Sequence, residues 1–350
     1  MPEPHDKILY LDVLTVLSCF SVVYLHTNGI FWTHPKGVTW VTANIIETFF
    51  YFAVPIFFMI TGVTLIDFHE RYSIKTYLIK RCKRTLIPFL FWSVIAFFIT
   101  STMGGLPQNA LKDGFLLAIF NTKILQIYWF FPPLFACYLS IIVLSYIEDK
   151  NAIFTFMAGW AFFTYSLLPF CRRFFGLEIS GAYGTLISGG HLIFVLLGYL
   201  LGKDDIPKTN RFLIYYCGII GFFLHCYMTI KLSPAGLPIN KMFKGYTNFP
   251  SVFQAAAVFT FARYQNWSFL FRSKIVTQLF YLVRDASLGV YLIHVFILRY
   301  ALPPVFNYLD MPAFRTSLIY RLVAPIFVTL ACALITKFIK KIPFLKYTVG

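Results

Sequence analysis

Long apolar runs alternate with short polar, often basic, segments along almost the whole chain. A bilayer core about 30 Å thick needs roughly 20 apolar residues per helix. Ten runs approach that length, near residues 8–30, 44–66, 86–102, 127–147, 152–170, 184–202, 212–231, 249–264, 286–302 and 318–337. The eighth and ninth are the weakest and marginal in length, so tilting, local thinning or re-entry is expected there. The pattern predicts an all-α fold: a polytopic transmembrane bundle of about ten helices. No internal repeat or linker divides it, so residues 1–350 read as one integral membrane domain.

Composition strengthens this reading. Of 350 residues, 59% are hydrophobic and only 13% charged, too few charges to cover a soluble protein of this size. The 42 Phe and 22 Tyr suit a bundle with interfacial aromatic belts. A net charge of +16 raises the question of nucleic acid, but basic cytoplasmic loops explain it better. With the N-terminus inside, the inner loops hold 19 of the 30 Lys and Arg, which predicts both termini in the cytoplasm. The first run is too long for a cleavable signal peptide and lacks a small-residue cleavage site, so it is expected to stay as an anchor. Seven scattered cysteines without a CxxC give neither a disulfide framework nor a metal-ligand pattern.

Against that apolar background a few polar residues stand out. In "LDVLTVLSCFSVVYLHTNG" (11–29), Asp12 and His26 are 14 positions apart. On a helix they share a face to within about 40° and lie about 21 Å apart along the axis. They read either as wet interfacial residues at two ends or as an interior-facing functional stripe; a neutral His suits general-base work near pH 7. "RYSIKTYLIKRCKRTLIP" (71–88) carries Lys80, Arg81, Lys83 and Arg84. Arg81 and Arg84 are neighbours at i, i+3 and form a natural phosphate clamp, or else an ordinary positive-inside loop. "FFYFAVPIFFMITG" (49–62) holds Pro55 and Gly62, which permit a kink and close helix approach. Glu47, just before it, is the other acid at membrane depth. In "SLGVYLIHVFIL" (287–298), His294 follows Tyr291 by three positions and by itself fits a satisfied core histidine. No P-loop, dinucleotide fingerprint, HExxH, GxSxG or outer-loop DxD pair occurs.

Taken in order, "YLDVLTVLSCFSVVYLHT", "VPIFFMITGVTL", "RCKRTLIPFLFWS", "YWFFPPLFACYL" and "SLGVYLIH" resemble the acyltransferase-3 family of integral membrane O-acyltransferases, over nearly the whole chain. The likeness is to the standalone membrane type, nearest to members that modify bacterial surface polysaccharides such as enterobacterial common antigen and capsules. It implies a multi-pass protein of a bacterial plasma membrane. The activity implied is transfer of an acetyl group from acyl-CoA to a hydroxyl of a glycan or lipid-linked sugar. Acyl-CoA is then the donor substrate, with no tightly bound cofactor; membrane lipid is a further partner and nucleic acid is not. One family motif is an Arg, ten residues and a His in the first helix: His26 matches the His, and Thr15 stands where the Arg would be. The other, R-x-x-R before the third helix, is matched by Arg81 and Arg84. Tyr291 and His294 match a further landmark.

The resemblance and the residues together predict a mechanism. Arg81 and Arg84 hold the CoA phosphates at the inner face, with Lys80 or Lys83 supplying the cation missing at Thr15. The pantetheine arm, about 20 Å extended, reaches up to His26, the general base, which Glu47 orients. Asp12 is too far along the axis for that role, and no covalent Ser or Cys intermediate is required. A glycan or lipid transporter or flippase without chemistry fits the same helix count and intramembrane ionisable groups, but the paired inverted repeats usual for transporters are not visible.

Overall fold

The computed structural model describes residues 4–33, 37–176 and 190–350, which are helical with no strand among them. The first helix, α1 (Pro4–Thr27), is followed by α2 (Gly37–Phe50) and α3 (Ala53–Leu65). Next come α4 (Ile74–Arg81), a π-turn at Cys82–Leu86, and α5 (Ile87–Met103). The short α6 (Phe115–Phe120) leads through a 3₁₀ segment at Gln126–Phe130 into α7 (Phe131–Leu144). Then follow α8 (Lys150–Phe162), α9 (Leu168–Phe175), α10 (Leu192–Lys203), α11 (Lys208–Leu232) and α12 (Phe249–Tyr264). The chain closes with α13 (Lys274–Phe296), a π-turn at Ile297–Ala301, α14 (Leu302–Tyr308) and α15 (Leu318–Ile339).

Eight helical stretches are long and apolar enough to cross a membrane: 9–27, 37–70, 74–103, 126–144, 150–175, 208–232, 274–308 and 318–339. The chain is a multi-pass membrane protein. All ten expected runs contain a helix, but their lengths differ from expectation in two places. The sixth helix begins only at Leu192 and has 12 residues, about 18 Å; residues 184–189 of the expected run lie outside the described residues. The ninth, expected near 286–302, belongs instead to the long stretch 274–308. Before residue 286 this stretch carries Arg284 and Asp285, which are paired: Arg284 bridges Asp12 of α1 at 2.8 Å and Asp285 at 2.7 Å.

Small residues set the closest helix contacts, as expected where lipid gives no hydrophobic drive between helices. A Cβ on Gly62 of α3 would lie 2.0 Å from the Val195 carbonyl oxygen of α10, and one on Gly198 would lie 2.1 Å from the Met59 carbonyl oxygen. Backbone therefore meets backbone between α3 and α10, and any side chain there forces them apart. Gly218 and Gly221 do the same for α11 against α12, and Gly289 for α13 against Thr336 of α15. Around these pairs the core is largely aliphatic and aromatic, with Leu14, Ile56, Phe58, Met59, Phe194 and Phe259 fully buried.

Both ends of the described chain lie at one end of the bundle. Asp12, Thr15, Lys83, Arg84, Arg284, Lys340, Lys346 and Gly350 line a common 720 Å³ recess there. Trp92 Nε1 donates to the Thr348 carbonyl at 2.9 Å and ties the C-terminal segment to α5. We call this the basic end. His26, near the last turn of α1, lies at the other.

Candidate active site

Two cavities enter the bundle between α1, α3 and α13 from its two ends. The one at the basic end, about 520 Å³, is lined by Thr15, Thr61, Thr64, Arg71, Tyr72, Lys80, Arg81, Arg84 and Tyr138 among others. The one at the opposite end, about 630 Å³, is lined by His26, Glu47, Gln126, Trp129, Lys241, Tyr246 and Arg299 among others. Three residues line both: Val22, Val54 and Tyr291. The cavities therefore meet inside the bundle, at a partition one side chain thick.

The basic cavity owes its charge to one stretch of sequence. Ser73 caps α4 by accepting from Thr76 N–H, and the π-turn at Cys82–Leu86 then carries the chain into α5. Lys80 Nζ sits 3.9 Å from the Tyr72 ring centre, and the Arg81 guanidinium lies against Tyr77 and Tyr138 at 5.8 and 5.6 Å. These cation–π contacts hold the heads in place without a carboxylate to neutralise them. Arg71, which also donates to the Thr64 carbonyl at 2.6 Å, adds a fourth cation. Lys83 faces the neighbouring recess, not this cavity. Thr15 returns its hydroxyl to the Leu11 carbonyl at 2.8 Å and lines both spaces. Asp12 is engaged by Arg284 at the rim.

At the other end the partners are far apart in sequence. His26 Nδ1 lies 2.7 Å from His294 Nε2, with the rings 4.8 Å apart between centres. His294 is fully buried, and its Nδ1 lies 2.9 Å from the Val290 carbonyl. A carbonyl only accepts, so His294 carries its proton on Nδ1 and its Nε2 is an acceptor. His26 must then donate from Nδ1, and its Nε2 keeps a free lone pair. The relay from Val290 through His294 leaves a base at His26 Nε2, on a ring that lines the cavity. Tyr291 and Tyr128 steady α13 beside this pair: Tyr291 donates to the Ile127 carbonyl, and Tyr128 to the Leu292 carbonyl at 2.9 Å.

The expected Glu47–His26 partnership is not formed. Glu47 is 2% exposed, and its carboxylate meets Lys244 Nζ at 3.3 Å and Asn28 Nδ2 at 3.5 Å. Lys244, 4% exposed, also sits 3.8 Å from the Tyr51 ring centre. A buried carboxylate is costly without a cation, so Glu47 is committed to Lys244. Burial brings the Lys244 ammonium down to about 8, while Glu47 opposes that fall. Asn28 extends the network, accepting from buried Arg321 of α15 at 3.4 Å, and Arg321 also donates to Thr42 at 2.9 Å. Glu47 therefore belongs to a network that fixes the end of α1 two residues beyond His26. The group hydrogen-bonded to His26 is His294, seen in the sequence but not paired there.

One cavity thus presents a cluster of four cations, and the other, across the partition, an imidazole lone pair. A family model described as an acyltransferase domain matches residues 8–337. Fold and match together define a membrane acyltransferase, and the chain belongs to the acyltransferase-3 family. Comparison with curated proteins and with solved structures gives no significant match.

Proposed function

We propose that this acyltransferase moves an acetyl or other short acyl group from acyl-CoA to a hydroxyl of a cell-surface glycan or its lipid-linked precursor, at a bacterial plasma membrane. The observation that carries the reading is the pair of cavities meeting at Val22, Val54 and Tyr291. Acyl-CoA has two distant parts: a phosphorylated head that needs cations, and a thioester at the end of an arm about 20 Å long. Thr15 and His26 are separated by about 16 Å of helix rise, so a head among Arg71, Lys80, Arg81 and Arg84 has a thioester within reach of His26.

In this mechanism the guanidiniums of Arg81 and Arg84 bind phosphate oxygens, and the pantetheine arm passes the partition beside Tyr291. The acceptor hydroxyl enters the opposite cavity. His26 Nε2 takes its proton as the oxygen attacks the thioester carbonyl; the C–S bond breaks, and the CoA thiolate leaves as the thiol, taking that proton back from His26. His294 holds the His26 ring in the tautomer that leaves Nε2 free and bears part of the charge of the imidazolium that forms. General-base catalysis of this kind contributes typically about 10²–10⁴-fold. The basic cluster at positions 71–84 supplies the cations that Thr15 does not.

The test is chemical analysis of surface glycan from cells lacking the protein. Loss of ester-linked acetyl groups from an otherwise intact glycan supports the transferase. Loss of the whole glycan indicates export instead, and an intact, fully acetylated glycan rules out both.

A further inference from the structure

Within the proposed transferase, the opposite cavity holds more positive charge than the chemistry at His26 uses. Its lining includes Glu47, Lys241 and Arg299. Glu47 is already neutralised by Lys244. Neither Arg299 nor Lys241 takes part in any of the six ion pairs among the described residues. Lys241 instead rests 5.3 Å from the Trp32 ring centre, and Trp32 lines the same cavity. Two cations therefore face this space without an ion-pair partner among the described residues.

Arg299 reaches it through an irregularity of α13. On a regular helix, residues 294 and 299 point about 140° apart. The π-turn at Ile297–Ala301 underwinds the helix around Arg299 and turns it part of the way back, and Arg299 lines the cavity. A π-turn has poorer backbone geometry than the α-helix it interrupts and is often found at functional sites. Here its effect is to deliver a guanidinium to the cavity that His26 lines.

The opposite wall is aromatic. Tyr51, Tyr246 and Trp129 all line the cavity and form a continuous stack: Tyr51 and Tyr246 lie 4.4 Å apart at 7°, and Tyr246 and Trp129 lie 5.2 Å apart at 21°. Such a wall offers an apolar aromatic surface to a sugar ring, while Gln126 adds a neutral polar group.

We propose that the acceptor is an anionic saccharide, packed against this aromatic wall, with its carboxylate or phosphate bound by Arg299 and, at the rim, by Lys241. Arg299 and Lys241 act as acceptor-recognition residues in this proposal. A planar guanidinium binds either oxyanion bidentately, so the anion comes from a sugar acid or from the phosphate of a lipid-linked acceptor. This inference rests on the acyl-transfer reading, because it assigns the cavity to the acceptor.

The test is equilibrium binding to the full-length protein in lipid nanodiscs. The probes are a trisaccharide ending in glucuronic acid, the same trisaccharide ending in glucose, and the glucose form carrying a phosphodiester. The expected result is at least about tenfold tighter binding of one or both anionic probes than of the neutral one, the gain typical of a charge-assisted hydrogen bond. Preference for the uronic acid assigns the anion to the sugar, and preference for the phosphodiester assigns it to the lipid linkage. In Arg299→Gln the preference should fall below threefold, and Lys241→Gln should lower it by less. Equal binding of the neutral probe, binding of none of the three, or an unchanged preference in Arg299→Gln overturns the proposal. Binding needs no acyl donor, so failure of acetyl transfer and failure of anion recognition are read separately.

Discussion

The two cavities are built on opposite principles. At the basic end, Arg71, Lys80, Arg81 and Arg84 come from one short stretch, and Lys80 and Arg81 are held by aromatic neighbours a few positions away or across one helix interface. At the other end, His26, Glu47, Trp129, Lys241, Tyr246 and Arg299 come from five separate segments. The first cavity is a charge density, tolerant of which cation does what. The second is a geometry, in which a 2.7 Å contact between residues 268 positions apart sets the state of one ring nitrogen. The basic end should therefore show graded, compensable losses, and the His26 end abrupt ones.

The partition between the cavities offers the largest effect. Val22 is 3% exposed and lines both spaces. Val22→Trp should block the passage and lower acetyl transfer by about 10²-fold or more, the scale set by misplacing reacting groups. Binding of acetyl-CoA, followed by calorimetry, should survive. Val22→Ala, which opens the same point, should remain active; if the Trp variant turns over normally, the cavities do not communicate.

His294 comes next. It acts through His26, so His294→Ala should lower kcat about 10–100-fold with the acetyl-CoA KM little changed, as expected when hydrogen-bonded support of a functional side chain is lost. The pH–rate profile distinguishes this from a packing defect. Without an acceptor at His294 Nε2, His26 loses its fixed tautomer, and the midpoint of the profile should move; an unmoved midpoint would make His294 purely structural.

Thr15 tests the tolerance of the basic end. The space beside it already faces Arg71, Lys80, Arg81 and Arg84. Thr15→Arg should change the KM for acetyl-CoA by no more than about fivefold, because one more screened cation adds at most about 1 kcal/mol. A large gain would show that the missing arginine limits this enzyme.

The smallest effect is the pH dependence of the Glu47–Lys244 pair. Lys244 is held near 8, below lysine's ordinary range, because burial disfavours its charge. Between about pH 8 and 10.5 the unfolded chain therefore binds more protons at this residue than the folded one. Its contribution to stability then rises with pH across that window. Thermal unfolding in detergent should show the rise in wild type, as about 2 °C in Tm. The slope should vanish in the Lys244→Met/Glu47→Gln double variant, which removes both titrating partners.

The contrast between the cavities also decides what could be read from the chain. The bilayer sets the length and polarity of each run, so all ten runs located helices. The Arg81–Arg84 pair was legible because a local spacing places both heads together. His26 and His294 were legible as polar exceptions in apolar helices, but not as partners, since nothing local encodes a contact between α1 and α13. Glu47 was misassigned for the same reason: Lys244, in the segment before α12, claims it. Arg299 left no usable signal, because regular helical spacing points it away from His294 and only the π-turn turns it part of the way back. Thr15 at the family's arginine position and the basic stretch that could stand in for it were visible at once; that Arg71 joins this cavity while Lys83 lines the neighbouring recess emerged only with the structure.

Acetyl transfer from labelled acetyl-CoA to surface glycan, measured across acetyl-CoA concentrations for His26→Ala and for Arg81→Ala/Arg84→Ala, tests the division of labour most directly. The account predicts that the double arginine variant has a KM raised about tenfold or more and is restored at saturating donor. It predicts that His26→Ala stays at least about 10²-fold slow at every donor concentration. A wild-type rate in His26→Ala, or an unchanged acetyl-CoA dependence in Arg81→Ala/Arg84→Ala, would contradict it.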